Sequence, residues 1–138
     1  MSATTAPIIT GTDFVTLPTR DLAAAIEFYG TTLGLPCSVN VPERNYAEFE
    51  TGNLSLSVIR PEGMGLDYQP NKNFTALHVD DVAAARAQLE SRGVTFRGDI
   101  FDTGVCHMAF FTDPDGNAPM LHHRYAPRMA APLPPDAA

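Results

Sequence analysis

The sequence predicts an α+β fold made of two successive modules, each a strand, a helix and then three strands (βαβββ). The main observation is an internal repeat, because FVTLPTRDLAAA at 14–25 aligns without gaps on FTALHVDDVAAA at 74–85. An Ala-x-Phe sequence before Gly-Asn also occurs twice, at 47–53 and at 109–117. Matches in the same order at two places indicate a duplication.

In the first module, residues 14–17 are predicted to form a short strand and Asp21 to begin a helix as its N-terminal cap. Gly34 and Pro36 are expected to end that helix. The apolar residues at helical spacing between these signals are Leu22, Ala25, Ile26, Tyr29 and Leu33.

The second module repeats this order. Residues 74–79 read as a strand, Asp80 or Asp81 as the start of a helix, and Gly93 as its end. The buried stripe of this helix is predicted to be Val82, Ala85 and Leu89. Three short strands follow each helix, and a right-handed crossover then places the first and last strands of each module side by side and parallel.

The chain has 138 residues, of which 44% are hydrophobic, and this suffices for one domain with one sizeable core. Within this single domain, 1–138, we expect the first module at 12–61 and the second at 74–125. Residues 62–73 form a linker or a lid over the binding site, and 126–138 form an extended Pro/Ala-rich tail.

Composition excludes several partners. The net charge of −7 and the pI near 4.8 argue against nucleic acid and anionic membranes, which bind basic surfaces. The N-terminal MSATTAPIITG lacks the charge and apolar run of a signal peptide. Cys37 and Cys106 have no metal-like spacing, so we expect two ordinary thiols and a cytoplasmic protein.

Four segments together resemble the vicinal oxygen chelate superfamily, which includes glyoxalase I, bleomycin-resistance proteins and extradiol dioxygenases. In order, they are LPTRDLAAAIEFYGTTLGLP, FETGNLSLSVIRP, LHVDDVAAARAQLESRGV and FFTDPDGN. The resemblance covers about residues 12–125. It implies two four-stranded sheets that curve around a cleft, with helices on the outer faces, and a homodimer.

The resemblance also implies where a metal would bind, with one ligand from the first and one from the last strand of each module. Those positions are Phe14, Ser57 (Ser55 if the register shifts by two), Phe74 and Met120. None of them is His, Glu or Gln, the side chains that such a site needs. We therefore predict no metal and no other cofactor.

Strand alternation assigns residues to two faces of each predicted sheet. The face toward the helices is predicted to carry Val15, Leu17, Leu54, Leu56, Val58, Leu77, Val79, Ala109, Phe111 and Leu121. The opposite face, called the cleft face below, is predicted to carry Phe14, Thr16, Tyr46, Glu48, Ser55, Ser57, Ile59, Phe74, Ala76, His78, Cys106, Met108, Phe110, Met120 and His122. Aromatic, sulfur-bearing and weakly polar side chains of this kind are typical of pockets for organic molecules, although they could instead fill a collapsed core.

Three cleft-face residues are candidates for chemistry. His78 and His122 are expected at one level on adjacent strands, where they could transfer protons, hold a displaced metal with Glu48, or only form hydrogen bonds. Glu48, read as the only carboxylate of the middle strands on this face, is expected at the solvated mouth, or paired with a cationic ligand or a histidine. His107 and His123 are expected to be structural.

The sequence therefore predicts metal-independent binding of a small, largely apolar or aromatic molecule, as in antibiotic-sequestering members of the family that it resembles. The predicted ligand contacts are Phe14, Thr16, Tyr46, Glu48, Ser55, Ser57, Phe74, His78, Met108, Phe110, Met120 and His122. The alternative is a lyase, isomerase or oxygenase of the glyoxalase-like fold that uses His78, His122 or Glu48.

Overall fold

A computed structural model describes residues 6–128, and within them both predicted modules are present. The strands are β1 (Phe14–Pro18), β2 (Cys37–Val41), β3 (Tyr46–Glu50), β4 (Ser55–Ile59), β5 (Thr75–His78), β6 (Phe96–Asp102), β7 (Cys106–Phe111) and β8 (Pro119–Arg124). The helices are α1 (Leu22–Ile26), which continues as a π-helix (Glu27–Thr32), and α2 (Val82–Ser91). Single 3₁₀ turns occur at Pro42–Arg44 and Pro61–Met64.

Each module forms its own four-stranded mixed sheet. The strand order is β1-β4-β3-β2 in sheet A and β5-β8-β7-β6 in sheet B. The first and last strands of each module, β1 with β4 and β5 with β8, lie side by side and parallel. The α+β fold of two βαβββ modules is therefore confirmed.

Side-chain caps define where both helices begin. Asp21 accepts a hydrogen bond from the Ala24 backbone N–H, and Asp81, rather than Asp80, accepts one from that of Ala84. The second helix ends just before Gly93, whose positive φ of 91° suits glycine. The first helix departs from the regular spacing, because the Leu33 N–H reaches back five residues to the Phe28 carbonyl and widens the last turn.

The predicted face toward the helices is confirmed. In sheet A, Leu17, Leu56 and Val58 pack with Ala25 and Tyr29 of the first helical segment. In sheet B, the corresponding cluster consists of Ala109, Phe111 and Leu121 with Val82 and Leu89 of α2.

The two modules also pack against each other. Phe28 lies between them, since it contacts the core of sheet A and its ring lies 6.3 Å from that of Phe111 in sheet B. Leu33 and Leu77 also border both clusters.

A buried polar connection between the modules lies at the turn between β7 and β8. The buried Asp113 carboxylate accepts hydrogen bonds from the Tyr29 hydroxyl at 2.7 Å and from the Asn117 side-chain amide at 2.7 Å. The same amide donates to the Pro18 carbonyl at the end of β1, at 2.8 Å. We call Tyr29, Asp113 and Asn117, with the Pro18 carbonyl, the turn network.

The segment between the modules is attached to this turn. The Asn71 backbone N–H donates to the Asn117 side chain at 2.7 Å, and the Tyr68 hydroxyl donates to the Asp115 carbonyl at 2.9 Å. Of the predicted tail, residues 129–138 lie outside the described residues. No helix among residues 6–128 is long and apolar enough to cross a membrane.

The turn network yields a stability prediction. Tyr29→Phe removes a hydroxyl and leaves the buried Asp113 carboxylate one donor short, so we expect a loss of about 1–3 kcal/mol in the free energy of unfolding. Urea denaturation measures this loss. The matched control is Tyr125→Phe, which removes a hydrogen bond to the exposed Asp102 and should change stability much less. Equal effects of the two substitutions would contradict a special role for the buried network.

Candidate functional site

Cross-strand pairing places the cleft-face residues of sheet B in two rows. His78, His122 and Met108 are directly opposite one another in the first row. Ala76, Met120 and Phe110 are opposite one another in the second row. His78 and His122 therefore lie at one level, as predicted.

An aromatic pair stands at the end of the second row. Phe74 precedes β5 and is 60% exposed, and its ring lies 5.0 Å from the Phe110 ring. Met120 is only 3% exposed, so this predicted ligand contact is already buried within the chain. The accessible apolar surface of this face thus includes Phe74, the half-buried Phe110 and Met108, and Phe101 of β6, which is 54% exposed and lies opposite Met108.

The cleft face of sheet A is more polar. Thr16, Ser57 and Glu48 form one row across the three strands β1, β4 and β3. Phe14, on β1, is 54% exposed, and Ser57 is 5% exposed.

The other predicted contacts of sheet A flank this row. Phe14 lies opposite Ser55, and Tyr46 lies opposite Ile59. Ser55 donates hydrogen bonds to both carboxylate oxygens of Glu50, at 2.9 and 2.8 Å.

The prediction that Glu48 is the only carboxylate of the middle strands on this face is wrong. Glu50 lies two residues further along β3, on the same face. Ser38 and Ser55 donate hydrogen bonds to the Glu50 carboxylate, and these bonds lower its pKa. In residues 6–128, no ion pair or hydrogen bond connects the Glu48 carboxylate with His78 or His122, which are on the other sheet.

The residues at the metal positions of the family do not fit a divalent cation. Ser57 and Met120, two of these positions, lie opposite Thr16 and Ala76 on the neighbouring strands. Neither neighbour adds an imidazole or a carboxylate. A shift of two residues brings Phe14 opposite Ser55, and these also lack an imidazole or a carboxylate. Nor do three or more His, Cys, Asp or Glu side chains converge as a metal site anywhere in the described chain.

The histidines have different environments. Burial, together with the neighbouring His78 and Arg128, lowers the pKa of His122 below its ordinary value and so favours its neutral ring. The largely exposed His78 approaches Asp80 at 3.2 Å, and its ring lies 5.8 Å from that of His123. Of the two predicted proton carriers, His122 is therefore the one held inside the cleft face.

His107 and His123 lie opposite each other on β7 and β8, on the face toward α2. They border a cavity of about 490 Å³ beside the start of that helix. His107 approaches the Asp102 carboxylate at 3.4 Å, and Asp102 also accepts from the Tyr125 hydroxyl at 2.8 Å. These contacts are consistent with the structural role expected for both histidines.

A larger cavity of about 790 Å³, called the junction cavity, lies between the first module and the edge strand β5. It is lined mainly by residues of the face toward the helices, including Val15, Leu56 and Leu121, and by parts of α2. Phe74 and His78 border it from β5, whereas Met108 and Phe110 do not. Strand alternation assigns the apolar residues of this lining to the core, so it could not predict the junction cavity.

The lowered pKa of His122 predicts a pH dependence of stability. Because the folded state favours the neutral ring, the unfolded state binds more protons once the pH falls below the ordinary histidine pKa of about 6.5. The free energy of unfolding should therefore decrease as the pH is lowered from about 7 to about 5, and His122→Gln should reduce this slope. Urea denaturation at a series of pH values tests this. Identical slopes for the two proteins would contradict the assignment.

Comparison with solved structures shows which proteins share this architecture. TnmS3, an antibiotic binding protein from Streptomyces sp. CB03234, is 26% identical, with a TM-score of 0.72 over 86% of this chain and 99% of that chain. Lactoylglutathione lyase from Agrobacterium tumefaciens is 18% identical, with a TM-score of 0.71 over 84% and 95%. A glyoxalase/bleomycin resistance protein/dioxygenase from Nocardioides is 22% identical, with a TM-score of 0.72 over 95% and 93%.

A search of curated proteins gives no significant match. The family model of the Glyoxalase/Bleomycin resistance protein/Dioxygenase superfamily matches residues 11–121, which include both βαβββ modules and the turn network. The chain therefore belongs to the Glyoxalase/Bleomycin resistance protein/Dioxygenase superfamily.

Proposed function

We propose that this protein binds a small organic molecule with an aromatic or extended apolar body on the cleft face of sheet B, without a metal ion, and releases it unchanged. The observation that carries the proposal is the pair of the exposed Phe74 and the half-buried Phe110, with ring centroids 5.0 Å apart, beside Met108. Exposed aromatic rings grouped with a methionine favour contact with a flat apolar partner.

The polar groups of this face are few and suited to orienting a ligand. The neutral His122 ring can donate or accept a hydrogen bond at one end of the aromatic surface. Apolar walls with a few placed polar groups are typical of small-molecule sites. The absence of imidazole and carboxylate groups from the four positions Phe14, Ser57, Phe74 and Met120 supports binding without a metal.

The likeness to TnmS3 supports this class of function, since that protein is described as antibiotic binding. We therefore propose sequestration of an antibiotic-like molecule as the specific form of the activity. A second copy of the chain is proposed to cover the rim of the cleft face, where Phe14 and Phe74 are 54% and 60% exposed.

A second candidate function is proton transfer by His122. Its lowered pKa keeps a neutral imidazole available as a general base near neutral pH. The lactoylglutathione lyase shares the fold, but at 18% identity that likeness extends to the fold alone.

Two substitutions distinguish binding from catalysis. If the protein only binds, Phe110→Ala should weaken affinity for the ligand that co-purifies with it by on the order of 2 kcal/mol, or about thirtyfold. His122→Gln should then change affinity by less than about tenfold and leave the ligand intact. Calorimetric titration and mass spectrometry of the recovered ligand provide the measurements.

The matched control is Tyr125→Ala, which removes an exposed aromatic ring outside the cleft face and should leave affinity unchanged. A transformed product that disappears in His122→Gln, with binding retained, would overturn the proposal in favour of acid/base catalysis.

A further inference from the structure

The junction cavity is a consequence of the internal repeat. Residues 14–25 align on residues 74–85 with an offset of 60 positions. When the same offset is continued along the two helices, Phe28 corresponds to Gln88 and Tyr29 corresponds to Leu89. In the first module, Phe28 and Tyr29 fill the space between their helix and sheet B. In the second module, the smaller Gln88 and Leu89 border the junction cavity instead.

The opposite wall of the junction cavity is formed by residues that also correspond through the internal repeat. Thr51 and Asn53 line the junction cavity, and they occupy the places in the β3–β4 turn that Asp113 and Asn117 occupy in the β7–β8 turn. The turn network therefore closes one side of the boundary between the modules, whereas the equivalent position on the other side is open. The cavity of about 790 Å³ is within the range of about 300–1,000 Å³ usual for ligand pockets.

The lining of the junction cavity combines an apolar surface with one permanently cationic side chain, Arg92, and with His78 at its border. Its apolar surface comes mainly from leucines, namely Leu33, Leu35, Leu54, Leu77, Leu89 and Leu121. Arg92 stands at its border, and its Nη1 donates to the Thr32 carbonyl at 2.9 Å. A guanidinium has five N–H donors, so it can bind a further acceptor while keeping this bond.

The charge of the lining differs from that of the whole protein. The chain has 16 Asp and Glu residues and a net charge of −7, but none of the described residues that line the junction cavity is acidic. The amides of Asn53 and Gln88 add neutral donors. An apolar surface with a guanidinium and without carboxylates complements a molecule that has an apolar body and one negative group.

We propose that the junction cavity is a second binding site, adjacent to the cleft face along β5, for an apolar carboxylate such as a medium-chain fatty acid. The hydrocarbon chain packs against the leucines, and the carboxylate is bound by Arg92. The junction cavity shares Phe74 with the proposed antibiotic-like site, but Met108, Phe110 and Met120 do not line it.

The test uses decanoate as the probe, with decanol and decylamine as matched molecules of the same chain length. Calorimetric titration of the full chain should show decanoate binding and at least about tenfold weaker binding of decylamine. Arg92→Gln should weaken decanoate binding by at least about tenfold and leave decanol binding nearly unchanged.

A space-filling substitution tests the location. Gln88→Phe introduces into the second helix the phenylalanine that the first helix has at the equivalent position, Phe28. The larger ring should fill the junction cavity and abolish decanoate binding. Gln88→Glu, a change of the same size that adds a negative charge to the lining, should weaken decanoate binding in the same direction, and circular dichroism establishes that both variants are folded. Phe110→Ala, on the cleft face, should leave decanoate binding unchanged.

Decanoate binding that survives both Gln88 substitutions in folded protein, or that is lost in Phe110→Ala, would overturn the proposal, and so would equal affinity for decylamine. Phe110 does not line the junction cavity and Gln88 does not lie on the cleft face, so Phe110→Ala and Gln88→Phe distinguish failure of one proposed site from failure of the other.

Discussion

The arrangement of the two modules depends on one buried carboxylate. Asp113 is 5% exposed, and it is satisfied by donors from both modules, namely the Tyr29 hydroxyl and the Asn117 amide together with backbone N–H groups of its own turn. Burial and the Asp113 carboxylate raise the pKa of Tyr29 well above its ordinary value, so its hydroxyl remains a donor. A buried charge with fewer donors would be costly, and this fixes the position of the first helix against the β7–β8 turn.

The need to satisfy the buried Asp113 carboxylate accounts for a difference between the two equivalent boundaries of the repeated modules. The side that contains Tyr29 and Asp113 is filled, and Phe28 extends the packing onto sheet B. The side that contains Leu89 and Thr51 has no such contact among the described residues and leaves the junction cavity open. A duplicated fold can in this way keep its core on one side and a binding space on the other.

The cleft faces are not covered by the helices, which pack on the opposite faces of the sheets. In sheet B, two positions that the family resemblance assigns to metal ligands carry the apolar residues Phe74 and Met120, which is compatible with the proposed binding of an organic molecule. The rim residues Phe14 and Phe74 are exposed in the single chain, and a second copy is the partner that we propose for them.

Much of the fold could be predicted from the sequence, because its signals are local. The caps Asp21 and Asp81 and the two-residue alternation along each strand depend only on neighbouring residues, and the structure has them where the pattern indicates. The repeat also gave the strand order, since each module needs a crossover between its parallel strands.

Other features depend on contacts between distant residues and could not be predicted in this way. Tyr29 and Asp113 are 84 residues apart, and periodicity indicates only that Tyr29 is buried, not that its hydroxyl meets a carboxylate. Alternation correctly places His78 on its strand, but the side chain approaches Asp80 beyond the strand end. Glu50 was missed because it lies at the end of β3, where the sequence gives no sharp boundary.

Native mass spectrometry of the protein, purified from its own host without added ligand or chelator, tests the central claim most directly. We predict a dimer that carries an organic molecule, released intact on denaturation, with far less than one equivalent of Zn, Ni, Mn or Fe. A species with about one equivalent of divalent metal per chain and no organic mass would contradict metal-independent binding, particularly if the metal were lost in His122→Gln.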